Sequence, residues 1–310
     1  MNAVRAFAPG TVANVGPGLD VLGLALTGAG DTVSVERVPG GGITIRSSGH
    51  PEIPSDVSRN TAGIAASLVR EKVGRVAAGL VLEIAKGLPL SGGQGGSAAS
   101  AAAAAVATNA LFGSPLLPRE LLEPCIAAEE AVSGRHADNV AAALLGGMVL
   151  VRSLETCDIV ALPFPDELLV VLVEPDERMP TQKARAALPR SVEREIAVAQ
   201  AANVGALVAA LYSGDRELLG RSIEDRIAEP ARAPLLPGFV EAKSAAMEAG
   251  ALGCSLSGSG PSAFAFVAGE ALAARVAAAM ASAYRRSGIA AAARVCRVEK
   301  RGARVLEGRP

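Results

Sequence analysis

The stretch Gly87-Leu-Pro-Leu-Ser-Gly-Gly-Gln-Gly-Gly-Ser-Ala-Ala-Ser100 passes directly into a run of alanines at 101–105. Glycine admits positive φ and lets a bulky ligand approach the main chain, and alanine is the strongest helix former. A helix begun on such a loop leaves first-turn N–H groups unpaired beside a partial positive charge. Those two features together bind an anion such as a phosphate. Pro89, Leu90, Ser91, Gly92 and Gly93 lead into the cradle, Gln94, Gly95 and Gly96 form it, and Ser97 and Ala98 open the helix. Ser97 offers a hydroxyl to a magnesium ion bridging phosphates; alternatively, it is no more than a helix cap. No G-x-x-x-x-G-K-S/T exists in the chain. Gly93-x-Gly95-x-x-Ala98 is a form of the dinucleotide fingerprint, but Pro89-Leu90-Ser91 interrupts the strand that should run into it, and no acid stands about 20 positions on.

Three more clusters carry polar groups among apolar neighbours. Asn14 and Asp20 lie in the glycine-rich segment 8–23, either as a turn device or as a grip on a substrate. Glu129 ends one helical pattern, and His136, Asp138 and Asn139 crowd the loop that opens the next, where Asp138 or Asn139 could also be a plain N-cap. Gly258, Ser259 and Gly260 fall in a second glycine loop between two strand-like runs. That loop is either a nest of N–H groups facing an anion or a hairpin turn. Two arginines, Arg185 and Arg232, could hold a carboxylate in bidentate fashion or simply solvate the surface.

The elements that must position these groups alternate without an obvious repeat. Strands are expected at 31–38, 42–47, 80–85, 148–151, 168–173, 252–256, 263–267 and 293–299. Helices are expected at 61–72, 97–111, 118–131, 139–145, 181–188, 192–211, 215–227, 238–249 and 270–286. Consecutive strands in places and long helices elsewhere imply an α+β fold. Pro163 and Pro165 suggest a division into domains 1–160 and 161–310.

At 310 residues the chain is long enough for about two domains with their own cores. Half the residues are hydrophobic and 20% are charged, which excludes a disordered chain. Thirty basic against 31 acidic residues leave a net charge of −1, and aromatics make up 3%, so nucleic acid is not an expected partner. The start of the chain lacks a signal-peptide core. The alanine-rich run at 97–112 is too short and polar for a bilayer span, so no membrane is expected. Cys125, Cys157, Cys254 and Cys296 are widely spaced, which fits a reducing cytoplasm and neither a disulfide framework nor a zinc knuckle.

The segments 8–23, 89–100 and 253–262, taken in order, resemble the three motifs of the GHMP kinase superfamily: the galactose, homoserine, mevalonate and phosphomevalonate kinases. In the middle motif, commonly P-x-x-x-G-L-G-S-S-A, this chain has Gln94 for the leucine and Gly96 for the first serine. Ala13-Asn14-Val-Gly-Pro-Gly-Leu-Asp20 and His136-Ala-Asp-Asn139-Val-Ala are similar to motifs of the homoserine kinase branch, as are the runs around Arg185 and Arg232. The resemblance implies a two-domain fold, with an N-terminal ribosomal protein S5-like domain and a C-terminal ferredoxin-like α/β-plait. It implies ATP with Mg²⁺ as cofactor, L-homoserine as substrate, and a homodimer. ATP phosphates would be held by residues 89–98 and the adenine near Asn60, with Mg²⁺ on Ser97 and Glu129. Homoserine would lie against Asn14, Asp20, His136, Asn139, Arg185, Arg232 and the loop 258–260, and Ser97, Glu129 and Asn139 would serve catalysis. Asp138 is left unassigned as a base. The alternatives are another kinase of the superfamily acting on shikimate, mevalonate or a sugar, a dinucleotide-dependent oxidoreductase, and a non-catalytic metabolite binder.

Overall fold

The computed structural model describes residues 2–306; Met1 and positions 307–310, the outer ends of the two expected domains, lie outside the described residues. The first half runs β1 (Ala3–Ala13), β2 (Leu22–Val38), β3 (Ile43–Ser47), α1 (Thr61–Lys72), β4 (Gly79–Ala85), α2 (Gly96–Leu111), α3 (Leu122–Ser133), α4 (Asp138–Leu145), β5 (Met148–Ser153) and β6 (Asp158–Leu162). The second half runs β7 (Leu168–Pro175), α5 (Thr181–Ala186), α6 (Arg194–Ser213), α7 (Arg216–Ser222), α8 (Ala228–Arg232), α9 (Phe239–Glu248), β8 (Gly253–Leu256), β9 (Ala263–Ala268), α10 (Glu270–Arg286), β10 (Ala291–Cys296) and β11 (Arg304–Val305).

The strands form two sheets. One has the order β11-β1-β2-β4-β3, with β5 joining the Leu22 end of β2 and β6 joining β5. The other is antiparallel in the order β10-β7-β9-β8. A β-α-β-β-α-β path through the second sheet gives the expected plait, and the α+β class holds. Position 160/161 lies inside β6, which pairs with β5, while β11 returns from the far end of the chain to pair with β1.

Alternation along the strands places three cores. In β7, Leu169, Val171 and Val173 face α9 and α10, whereas Leu168, Val170 and Leu172 face the first sheet. Phe264 and Phe266 of β9 join that middle core, where Val12, Leu22, Leu24 and Met148 meet them from the other side. A third core holds α2, whose alanines at 98, 99, 101–105 and 107 are all buried. A helix of methyl groups packs closely on every side, so α2 fits between β1, β2 and α1.

Several expected elements differ. The segment 8–23 is not turn throughout: Pro9 and Gly10 sit within β1 at a register shift, and the turn is confined to 14–21. The helix expected at 118–131 begins as a 3₁₀ turn, Pro118–Leu121, before α3. The helix expected at 215–227 ends at Ser222, because the Asp225 carboxylate accepts from the N–H groups of Ile227, Ala228 and Glu229 and starts α8. Among the described residues one helix, α6, is long and apolar enough to cross a membrane by length and composition. It carries the buried Gln200, whose amide donates to the Pro17 carbonyl and to Asp225.

Candidate active site

A cavity of about 440 Å³ opens between the two sheets and is lined by parts of every motif singled out in the sequence. One wall is the glycine loop with the start of α2. Its N-cap is Gly95, at φ 68°, and no side chain caps it, so the first-turn N–H groups are left for a ligand. Ser97 is thus the second residue of the helix and not its cap. Gly95 admits nothing larger: a Cβ there would lie 2.1 Å from the Thr11 hydroxyl. Gly93, at φ 73°, is equally constrained, since its Cβ would meet the Ser257 carbonyl at 2.4 Å. The Gln94 side chain bonds Glu174 and Arg294 of the second sheet and Ser262 in the loop between β8 and β9. Below the loop, the Lys86 ammonium is spent on the buried Asp31, the Gly96 carbonyl and Ser100.

Glu129, 2% exposed, reaches this wall from α3. Its Oε1 accepts from Ser97 Oγ at 2.7 Å and from Ser133. Its Oε2 is buried with no partner. A bare carboxylate oxygen next to a serine hydroxyl fits a hard cation with oxygen ligands, and burying it otherwise is costly. Glu130, by contrast, points outward and pairs with Arg135.

The opposite wall is charged and mixed in sign. Arg185 holds Asp20 through both terminal nitrogens, at 3.2 and 2.9 Å, and its Nε is buried without a partner. Burial pulls the Arg185 guanidinium down, but the Asp20 carboxylate outweighs it and the net direction is up. His136 donates or accepts between Asp138, at 3.0 Å, and Ser133. Burial alone would lower its pKa, yet the bond to Asp138 and the charges of Asp138 and Glu129 raise it above the usual histidine value. Asp138 also accepts from the Asn139 N–H, so its carboxylate serves the start of α4. Asn139 faces the cavity, with its Oδ1 taken by Thr11.

Other expected residues are at the cavity with their polar groups committed elsewhere. Asn14 accepts from the Asp20 N–H and donates to the Gly258 carbonyl, bracing the turn against the second glycine loop. Arg232 is buried and donates to the carbonyls of Ala184 and Gly258; burial pulls its pKa down. Asn60 caps α1, accepting from Ala62 and Gly63 and donating to Pro54. In the loop between β8 and β9, the Gly258 N–H goes to Ala13 and the Gly260 N–H to Ser257. Of the two readings open for that loop, the hairpin turn is the one found: it is docked on β1, and the N–H groups of these two glycines are not free to form a nest. Gly258 and Ser259 line the cavity, whereas Gly260 packs behind it against Leu236, and Ala98 is buried in the core.

Ser133 and the Arg178–Glu52 pair, joined at 2.9 Å, line the cavity, and Thr11 stands behind Asn139; none of them is among the residues expected from the sequence. Ser133 stands four residues after Glu129, a spacing that puts both on one helix face. Nothing in the sequence ties Thr11 to Asn139.

The geometry has counterparts. Residues 60–147 match the GHMP kinases N terminal domain model, and residues 207–286 match the GHMP kinases C terminal model. The chain is 43% identical to a homoserine kinase of Chloroherpeton thalassium over 99% of this chain and 100% of that one. It is 46% identical to a homoserine kinase of Arabidopsis thaliana, over 86% of this chain and 75% of that protein. A crystal structure of homoserine kinase from Cytophaga hutchinsonii superposes with a TM-score of 0.95 at 40% identity, covering 99% of this chain and 98% of that one.

Proposed function

The chain belongs to the homoserine kinases of the GHMP kinase family, and we propose how its own residues carry that activity. The reaction is transfer of the ATP γ-phosphoryl group to the side-chain hydroxyl of L-homoserine, giving O-phospho-L-homoserine and ADP. The observation that carries the reading is that one cavity joins the uncapped start of α2, with the bare Glu129 oxygen beside it, to the Asp20–Arg185 pair opposite.

Phosphoryl transfer asks for placement and charge neutralisation more than for covalent help. The main-chain N–H groups at 95–97 are aimed where phosphate oxygens gain charge. Ser97 Oγ and Glu129 would hold Mg²⁺, which when bound with the nucleotide neutralises phosphate charge. Across the cavity, Asp20 and the His136–Asp138 pair suit the homoserine ammonium, and Arg185 suits its carboxylate. Binding a zwitterion therefore exchanges the internal Asp20–Arg185 pair for two pairs with substrate. Arg232 and Asn14 hold the walls of this pocket together through Gly258. The bond from the β,γ-bridging oxygen to the γ-phosphorus breaks as the hydroxyl oxygen bonds that phosphorus, and the hydroxyl proton is released. No side chain is assigned as its base, since the Asp138 carboxylate already serves His136 and the Asn139 N–H. The adenine would lie beyond the loop near Asn60, a buried residue at the same cavity.

We also propose a cytoplasmic setting, supported by four free cysteines, and pairing with a second copy of the chain. Exposed Val198 and Tyr212 on α6 support the pairing, and light scattering measures it. A coupled ADP-release assay tests the activity itself. ADP should appear with L-homoserine and not with shikimate or mevalonate; release with either of these and none with homoserine overturns the substrate.

A further inference from the structure

Thr11 lies in β1 with 1% exposure and touches two pieces of the cavity at once. Its main-chain N–H donates to the Gln94 carbonyl of the glycine loop at 3.1 Å, and its hydroxyl meets Asn139 Oδ1 at 2.6 Å. That separation belongs to an O–H···O contact and is short for N–H···O. The Thr11 hydroxyl is thus the donor and the Asn139 oxygen the acceptor, which leaves the Asn139 NH₂ as the end free to face the cavity. Gly95 closes over the pair: a Cβ there would lie 2.1 Å from the Thr11 hydroxyl and 2.7 Å from Asn139 Oδ1. The hydroxyl is therefore buried under the phosphate-binding turn, and Asn139 is its sole side-chain partner among the described residues.

We propose that Thr11 is a positioning residue for phosphoryl transfer: its hydroxyl locks the Asn139 amide so that Asn139 presents a hydrogen-bond donor, and not an acceptor, to oxygens of the reacting ligands. This rests on the kinase reading of the same cavity. The chemical consequence is specific. An amide nitrogen can stabilise charge building on a phosphoryl oxygen, but it cannot take the proton from the homoserine hydroxyl. Without the Thr11 hydroxyl the amide is free to rotate, and the oxygen could turn towards phosphate oxygens and repel them.

The test is a double-mutant cycle on kcat, with KM for ATP and homoserine and the thermal midpoint measured alongside. Thr11→Val keeps shape and removes the hydroxyl. It should lower kcat about ten- to a hundredfold with little change in either KM, and Thr11→Ser should restore most of the rate. In an Asn139→Ala background, Thr11→Val should add no further loss, because its effect passes through the amide. Wild-type kcat in Thr11→Val beside a slow Asn139→Ala enzyme overturns the proposal alone, and so does an undiminished Thr11→Val effect in the Asn139→Ala background. A fast Asn139→Ala enzyme removes the active-site role of Asn139 and the proposal with it. If Thr11→Val does not fold, neutron diffraction from the wild-type protein decides the point directly. Deuterium on the cavity-facing end of Asn139 supports the lock; an amide nitrogen turned towards Thr11 overturns it.

Discussion

Glu129 meets the cavity with one oxygen held by two serines and the other bare, and that imbalance is what the proposed metal role rests on. Glu129→Gln keeps the size and one acceptor but removes the charge a metal–phosphate complex needs. It should lower kcat by about two to three orders of magnitude, with homoserine binding by calorimetry little changed; a near-normal rate contradicts the assignment. Arg185 and Arg232 looked alike in the sequence and separate in the structure. Arg185 is paired to a carboxylate that substrate can replace, so Arg185→Ala should raise the homoserine KM by about tenfold or more, with a smaller effect on kcat. Steady-state kinetics reads this, and an unchanged KM removes Arg185 from the carboxylate site. Arg232 spends its guanidinium on two main-chain carbonyls, so Arg232→Ala should cost stability along with affinity. Glu129 and Glu130 are neighbours of one type, and the structure separates them: a serine stands at each side of one, and only the solvent-facing Arg135 beside the other.

The glycine loop ahead of α2 was legible because its requirements are written in residue types. Positive φ at Gly93 and Gly95 and close contacts at both demand glycine, and a helix crossing the middle of a core demands alanine. The range Thr61–Lys72 of α1 matches its expectation, since its apolar periodicity runs unbroken. β1 was hidden, because Pro9 and Gly10 read as turn although the strand absorbs them at a register shift. β6 (Asp158–Leu162) has no counterpart among the expected strands, although it is no shorter than β3, which has one. What Gln94 does could not be read from its own segment: its partners lie 80, 168 and 200 positions away. The docking of this loop on the β8–β9 hairpin sets a prediction of its own. Gly93→Ala places a methyl group 2.4 Å from the Ser257 carbonyl in a backbone region that disfavours side chains. It should destabilise the protein by about 1–3 kcal/mol and slow catalysis together. Thermal unfolding with activity measures both, and a silent variant would mean that the loop does not pack on the hairpin as described.

The two sheets share a core, and so the molecule should not come apart in halves. Phe264 and Phe266 project from the second sheet into contact with one another, at 5.1 Å between centroids, and they belong to the cluster that includes Leu22, Leu24 and Met148 of the first. Phe266→Ala should cost about 3–5 kcal/mol and shift a single unfolding transition downwards. Two transitions in denaturant, with only one displaced, would show that the sheets unfold independently. The cavity lies along the same junction, which is why no single segment of sequence contains it: α2 and α3 supply Ser97 and Glu129, while Arg185 and the 258–259 turn come from the other half. The most direct measurement is diffraction from crystals holding a non-hydrolysable ATP analogue and L-homoserine together. The γ-phosphate should rest on the N–H groups at 95–97 with a cation between Ser97 and Glu129, and homoserine should lie with its carboxylate on Arg185 and its hydroxyl turned to that phosphate. A nucleotide bound elsewhere, or an amino acid whose hydroxyl points away from it, contradicts the account.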